Sequence, residues 1–71
     1  MLSEETIRQN LIRLRKEHDM TQEDVAKRLN MLRTTYASYE QGYAGPSYIT
    51  LKQLSEIYGV SIEIWDEDNT A

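Results

Sequence analysis

Residues 21–42, TQEDVAKRLNMLRTTYASYEQG, hold two short stretches of helical periodicity separated by a brief break, and this pair constrains the fold more than any other part of the chain. The first stretch announces its start: Thr21 is placed to accept a bond from a free backbone N–H, and Asp24, three positions on, to reach back to the cap. Met20 and Val25 flank that cap as an apolar staple. Val25, Ala26 and Leu29 fall on one side of the helix, with Gln22, Glu23, Asp24, Lys27 and Arg28 around the rest. Asn30 stands where a residue tolerant of positive φ ends a helix, and Met31 turns back onto the core. A second helix, from about Arg33 to Gln41, puts Tyr36, Tyr39 and Glu40 on its packed side. Arg33, Thr34, Ala37, Ser38 and Gln41 form a small polar face turned outward, and Gly42 terminates the helix.

The flanking segments extend this into an all-α domain. Ser3 with Glu4 and Glu5 opens a first helix that runs to about Glu17, with Ile7, Leu11 and Leu14 as its apolar face. Asp19 asks for an Asp-tolerant turn between the first two helices. A loop at residues 42–46 carries two glycines and the single proline, and Ser47 caps a fourth helix whose Leu51, Leu54, Ile57 and Tyr58, joined by Tyr48, read as core. Gly59 ends it. Val60, Ser61 and Trp65 repeat the staple-and-cap arrangement, so a short fifth helix from about Ile62 is expected to fold Trp65 back on the domain. The expected organisation is one compact five-helix domain over residues 1–65 and an acidic disordered tail over residues 66–71.

Composition limits the alternatives. Seventy-one residues make one small domain with a modest core. With no cysteine there is no disulfide framework and no thiolate zinc site. No apolar run approaches the ~20 residues of a membrane span, and the polar, acidic opening MLSEETIRQN is unlike a secretory signal, so the cytoplasm is the expected location. The lone His18 has no metal-ligand or catalytic partner at a recognisable spacing, Glu23 and Asp24 are a helix-start feature, and no phosphate-cradling glycine loop follows a strand. No enzymatic activity, cofactor or metal is expected.

Four segments, LRKEHDMTQEDVAKRL, RTTYASYEQG, Pro46 with Ser47, and LKQLSEIYGVSIE, stand in an order and spacing that resembles the Cro and lambda-repressor family of phage-type regulators, also called XRE-like, over about residues 7 to 65. The resemblance implies a compact five-helix domain whose second and third helices form a helix-turn-helix, the third lying in the DNA major groove. It also implies that Arg15 pairs with Glu40, tying the first helix to the third, the alternative being two separately solvated charges. Gln22 matches a family glutamine that bonds a phosphate and braces the third helix, while the N–H groups after Thr21 favour an anion; the plainer reading is a solvent-facing glutamine. Leu32 departs from the family pattern, in which a serine or threonine caps the third helix. The departure should cost about 1 kcal/mol, and it leaves Leu32 either to press on thymine methyls or sugars or to mark a surface turned toward a protein.

If that docking holds, the first turn of the third helix comes nearest to base edges. Arg33 is then the leading base reader, because a guanidinium grips guanine O6 and N7 with two parallel bonds; a phosphate contact is its alternative. Thr34 and Ser38 suit several bases and Ala37 a thymine methyl. Tyr43 and Lys52 are candidates for the DNA backbone, whereas Lys27 and Arg28 read as solvated charges.

Net charge opposes such a partner, since a chain at −4 is repelled by phosphate on average. Yet residues 6–52 hold all eight basic and five acidic residues, a local +3, with −2 before them and −5 after. Two functions therefore stand. One is a sequence-specific DNA-binding transcriptional regulator, of the phage or prophage repressor type, working as a homodimer on a palindromic operator in double-stranded DNA. Ile57, Ile64, Ile12 and Trp65 are the candidate contacts between copies, each with core as its plainer role. The other is a protein-interaction module on the same fold, antitoxin-like or an anti-repressor partner, with weak or no DNA binding, favoured by the acidic balance and Leu32.

Overall fold

The structure is a computed structural model and describes residues 4–67. Four α-helices follow in order, α1 (Glu4–Glu17), α2 (Gln22–Arg28), α3 (Arg33–Gln41) and α4 (Tyr48–Tyr58), and a 3-10 turn, η1, follows at Ile62–Asp66. The helix starts obey local chemistry. At α2, Thr21 Oγ1 accepts from the Asp24 N–H at 3.1 Å while the Asp24 carboxylate accepts from the Thr21 N–H at 2.9 Å, a closed capping box. Ser47 Oγ accepts from the Thr50 N–H at 3.2 Å and starts α4.

All four helices stop by one device. A residue in the left-handed region follows each last turn, Asp19 (φ 54°), Asn30 (φ 60°), Gly42 (φ 84°) and Gly59 (φ 66°). The next residue then sends its N–H back to the carbonyl five residues earlier. These bonds are Met20 to Arg15 at 3.1 Å, Met31 to Ala26 at 3.0 Å, Tyr43 to Ser38 at 3.0 Å and Val60 to Ser55 at 3.0 Å. The Schellman closures satisfy orphan carbonyls and fix the sharp bends that stack short helices on one another. Asp and Asn hold this conformation at two of the four sites because their short polar side chains tolerate it.

The core is built from Leu11 and Leu14 of α1, Val25, Ala26 and Leu29 of the α2 region, Tyr36 of α3, Leu51, Leu54 and Tyr58 of α4, and Trp65. Within it α2 packs on α3, α1 packs on both α3 and η1, and α4 packs on η1. The resulting body measures 30 × 24 × 21 Å.

Three expectations are corrected. The fifth element is a 3-10 turn, with bonds from the Ile64 N–H to the Ser61 carbonyl at 3.1 Å and from Glu67 to Ile64 at 3.2 Å. The Ser61 side chain makes no capping bond, and the carbonyls of Ile64 and Glu67 accept from Asn10 Nδ2 at 2.9 and 3.1 Å, which holds the turn against α1. Trp65 is not a surface contact between copies: its side chain is 0% exposed and its indole N–H donates to Ser55 Oγ at 2.7 Å. Tyr48 lies exposed on the first turn of α4 and takes no part in the core. Of the expected tail, Asp66 ends η1 and Glu67 follows as its cap; residues 68–71, like the Ser3 expected to cap α1, lie outside the described residues.

Because Trp65 anchors η1 to both α1 and α4, Trp65→Ala is expected to lower unfolding stability by about 3–5 kcal/mol. Urea denaturation followed by circular dichroism measures this, and an unchanged midpoint would contradict the anchoring role.

Candidate nucleic-acid interface

The shortest path to a functional surface runs through α3, whose inner face is Tyr36, Ala37 and Glu40 and whose Arg33, Thr34, Thr35 and Gln41 are exposed. Ser38 is half-buried, and its hydroxyl donates to the Thr35 carbonyl at 2.6 Å. Ala37 belongs to the covered side at 6% exposure, a correction to its expected place on the outward face. It lies one residue from Tyr36 around the helix, and a one-carbon side chain does not project past its neighbours. Thr35 was not singled out from sequence, although its spacing to Ser38 sets both on one helical row.

Behind this surface sits a buried carboxylate. Glu40, 5% exposed, accepts from Arg15 Nε at 2.7 Å, Arg15 Nη2 at 3.1 Å, the Tyr36 hydroxyl at 2.5 Å and Gln22 Nε2 at 3.1 Å. Arg15 also donates Nη1 to the Met20 carbonyl at 3.0 Å, so a single guanidinium ties α1, the turn before α2, and α3. Arg8 adds a bond from Nη1 to the Glu40 carbonyl at 3.3 Å, near the negative end of α3. Burial pushes the Glu40 carboxyl up, but the bonds from Arg15, Tyr36 and Gln22 outweigh it and hold the group below its ordinary value of 4.5. Burial, then the bond to Glu40, drives the Tyr36 phenol the other way, far above its usual range, so it remains a donor.

Gln22 passes the arrangement outward. Its amide N–H faces Glu40, which turns its Oε1 toward Arg33, whose Nη1 donates to it at 3.3 Å. The first side chain of α3 is thus oriented from the core. At the start of α2 the capping box occupies the Thr21 and Asp24 N–H groups and adds the Asp24 carboxylate, whose bonds to Thr21 keep it below the ordinary carboxylate range. Much of the anion-attracting character expected after Thr21 is therefore used within the chain.

The remaining candidates are dispersed. Tyr43 (84% exposed) follows α3, and it borders an open groove of ≈ 430 Å³ lined by Glu4, Ile7, Tyr39, Gly42, Tyr43, Ala44, Gly45 and Pro46. Lys52 is exposed on α4, and Lys27 and Arg28 are exposed at the end of α2. Ile57 and Ile64 are half-buried against the core, and Ile12 is half-buried on α1. No helix among the described residues is long and apolar enough to cross a membrane.

Residues 11–65 match the sequence profile of the Helix-turn-helix family of Cro/C1 type, which takes in α2, α3 and the elements that brace them. The chain belongs to this family. The helix-turn-helix domain is 41% identical over 49 residues to the cryptic phage CTXphi transcriptional repressor RstR of Vibrio cholerae, a match covering 69% of the chain and 44% of that protein. It is 38% identical over 55 residues to the HTH-type transcriptional regulator YqaE of Bacillus subtilis, covering 78% of the chain and 47% of that protein. The chain thus spans about half the length of these curated relatives. A crystal structure of a transcriptional regulator from Listeria innocua superposes with a TM-score of 0.79 at 29% identity, covering 92% of this chain and 62% of that one.

Two consequences of the Glu40 cluster are measurable. Arg15→Ala leaves a buried carboxylate without its cation and is expected to cost about 3 kcal/mol, seen as a lowered melting temperature at neutral pH. The second is pH dependence. The folded carboxyl titrates below the unfolded one, so its contribution is fully present above about 4.5 and is lost as pH falls through the lower folded value. Glu40→Gln should flatten that part of the acid limb in a pH series of melting temperatures; an unaltered limb would remove Glu40 from the cause.

Proposed function

We propose that the protein is a sequence-specific DNA-binding transcriptional regulator, of the phage or prophage repressor type, that lays α3 in the major groove. It acts as a homodimer on a palindromic operator whose half-sites lie about one helical turn, ~34 Å, apart. Residues 1–65 form the DNA-binding unit and residues 66–71 an acidic extension. The observation that carries this reading is the exposed first half of α3, with Arg33 oriented through Gln22 by a carboxylate fixed in the core. A rigid element presenting oriented donors is what base-edge recognition requires. The relatives named as a repressor and a transcriptional regulator point the same way.

The residues divide by role. Arg33 reads a guanine, Thr34 and Ser38 contribute hydroxyls at neighbouring base edges, and Thr35 extends that row. Gln22, with Thr21 beside it, and Tyr43 and Lys52 farther along the chain, contact the phosphate backbone and set register. The protein-interaction alternative rests on the net charge of −4, which opposes long-range attraction to phosphate, and on the exposed Leu32 at the cap of α3.

Titration of random-sequence duplex at two salt concentrations separates these readings: binding that weakens as salt rises supports the regulator, and no binding at low salt supports the protein partner. After selection of a preferred site, Arg33→Ala is expected to cost ~1–3 kcal/mol of discrimination at one base pair. Uniform weakening over all sequences would move Arg33 to the phosphates.

A further inference from the structure

The cap position of α3 carries a side chain with no structural duty. Leu32 holds the extended conformation of a helix cap (φ −68°, ψ 145°), yet no side-chain bond reaches the first turn. A serine or threonine there would supply one. Nor does the leucine serve the core: Leu29 is buried and Met31 packs partly against it, while Leu32 is 72% exposed. A large apolar group is thus displayed at the leading end of α3, at the expense of a cap, on the surface that also presents Arg33 and Thr34.

Its surroundings narrow what it meets. The exposed residues around it in sequence, Asn30, Arg33, Thr34 and Thr35, are polar, while its apolar neighbour Met31 packs partly against the core. The other large exposed apolar residues, Tyr43, Tyr48 and Ile49, follow the far end of α3 or begin α4. A protein interface is built on a contiguous apolar patch, whereas a single methyl needs only one apolar side chain. In the major groove the thymine 5-methyl is the apolar feature that base edges offer. Leu32 and Arg33 are consecutive at the leading end of α3, with Cα atoms ~3.8 Å apart, so a base pair within reach of Leu32 is a near neighbour of the one Arg33 reads.

We infer that Leu32 is a specificity-determining residue that packs on the 5-methyl group of a thymine, at the base pair next to the one Arg33 reads. This rests on the DNA-binding reading above. Hydrogen bonding by Arg33 and methyl contact by Leu32 together define a two-base-pair step, with the cap given up for the second half of the reading.

The test uses the purified full chain and the duplex recovered by selection from random sequence. Each thymine is replaced in turn by uracil, which deletes only the methyl. For the unsubstituted protein, one replacement, beside the base pair at which Arg33→Ala loses its preference, should weaken binding about fourfold. Leu32→Ala should bind the thymine and uracil duplexes equally. Leu32→Ser restores a capping hydroxyl without a methyl group, so it should raise the melting temperature by about 4–8 °C while also losing the distinction between thymine and uracil. A merely structural leucine would not separate those two readouts.

Several outcomes overturn the inference while leaving DNA binding intact. They are a selected site without thymine at that position, uracil tolerated at every position, or Leu32→Ala weakening all sequences alike. Leu32→Ala that leaves every DNA affinity unchanged but abolishes self-association in sedimentation would assign the residue to a protein contact. Failure of the unsubstituted protein to bind random duplex at low salt overturns the DNA reading itself, and this inference with it.

Discussion

Everything exposed on α3 depends on a negative charge taken out of water. A carboxylate at 5% exposure is unfavourable unless its lone pairs are used, and Glu40 uses them on Arg15, Tyr36 and Gln22. Those donors come from three helices, so satisfying one residue fixes the mutual placement of α1, α2 and α3. An apolar residue of similar volume would fill the same space without specifying those directions. What the ion pair supplies is geometry: Arg15 reaches Glu40 with two nitrogens and the Met20 carbonyl with the third, which sets α1 against the turn that begins the motif.

That geometry explains why helices of seven and nine residues hold a functional surface in register. Isolated helices of such length are marginal in water, and their order must come from packing and end closure. The Schellman closures at Asp19, Asn30, Gly42 and Gly59 tie each helix end to its own last turn, while the Glu40 cluster ties the helices to one another. Asn10 performs a similar task from the middle of α1, donating to the carbonyls of Ile64 and Glu67 and so holding η1 against the helix.

Much of the fold was legible because its determinants are local. The capping box at Thr21, the caps at Ser47 and Gly59, the positive φ of Asp19 and Asn30 and the buried leucines of α1 and α4 with Val25 and Ala26 of α2 follow from spacing and side-chain chemistry, whereas the buried polar Asn10, Thr50 and Ser55 do not. The misreadings share another origin. Tyr48, Ala37 and the 3-10 geometry at Ile62–Asp66 depend on what a neighbouring element covers or captures, and helical phase does not encode it. Trp65 was legible as a residue folding back on the core, with a surface contact as the less plain reading; the bond to Ser55 across ten residues decides it, and no local pattern contains that bond. Of the candidate site, the link between Arg15 and Glu40 came from family resemblance. The relay from Glu40 through Gln22 to Arg33 needed coordinates, because it joins three side chains distant in sequence.

The acidic balance gains meaning from the same placement. Glu4 lines the groove beside the loop after α3, and Glu5 lies next to it in α1, paired with Arg8 at 2.8 Å. Arg8 in turn reaches the Glu40 carbonyl, so this acidic group lies toward the C-terminal end of α3. Arg33 begins the opposite end, and a nine-residue helix rises about 13 Å over its length. At physiological ionic strength the screening length is about 8 Å, so those carboxylates act weakly at the start of α3. Glu23 and Asp24, in the first turn of α2, are the acids that share its neighbourhood, and Asp24 is engaged in the capping box. Repulsion of phosphate by the distant acids is consequently weak at the leading end. On the DNA-binding reading proposed above, selectivity would then rest on contacts at base edges, with the guanidinium oriented by Gln22 as the leading one.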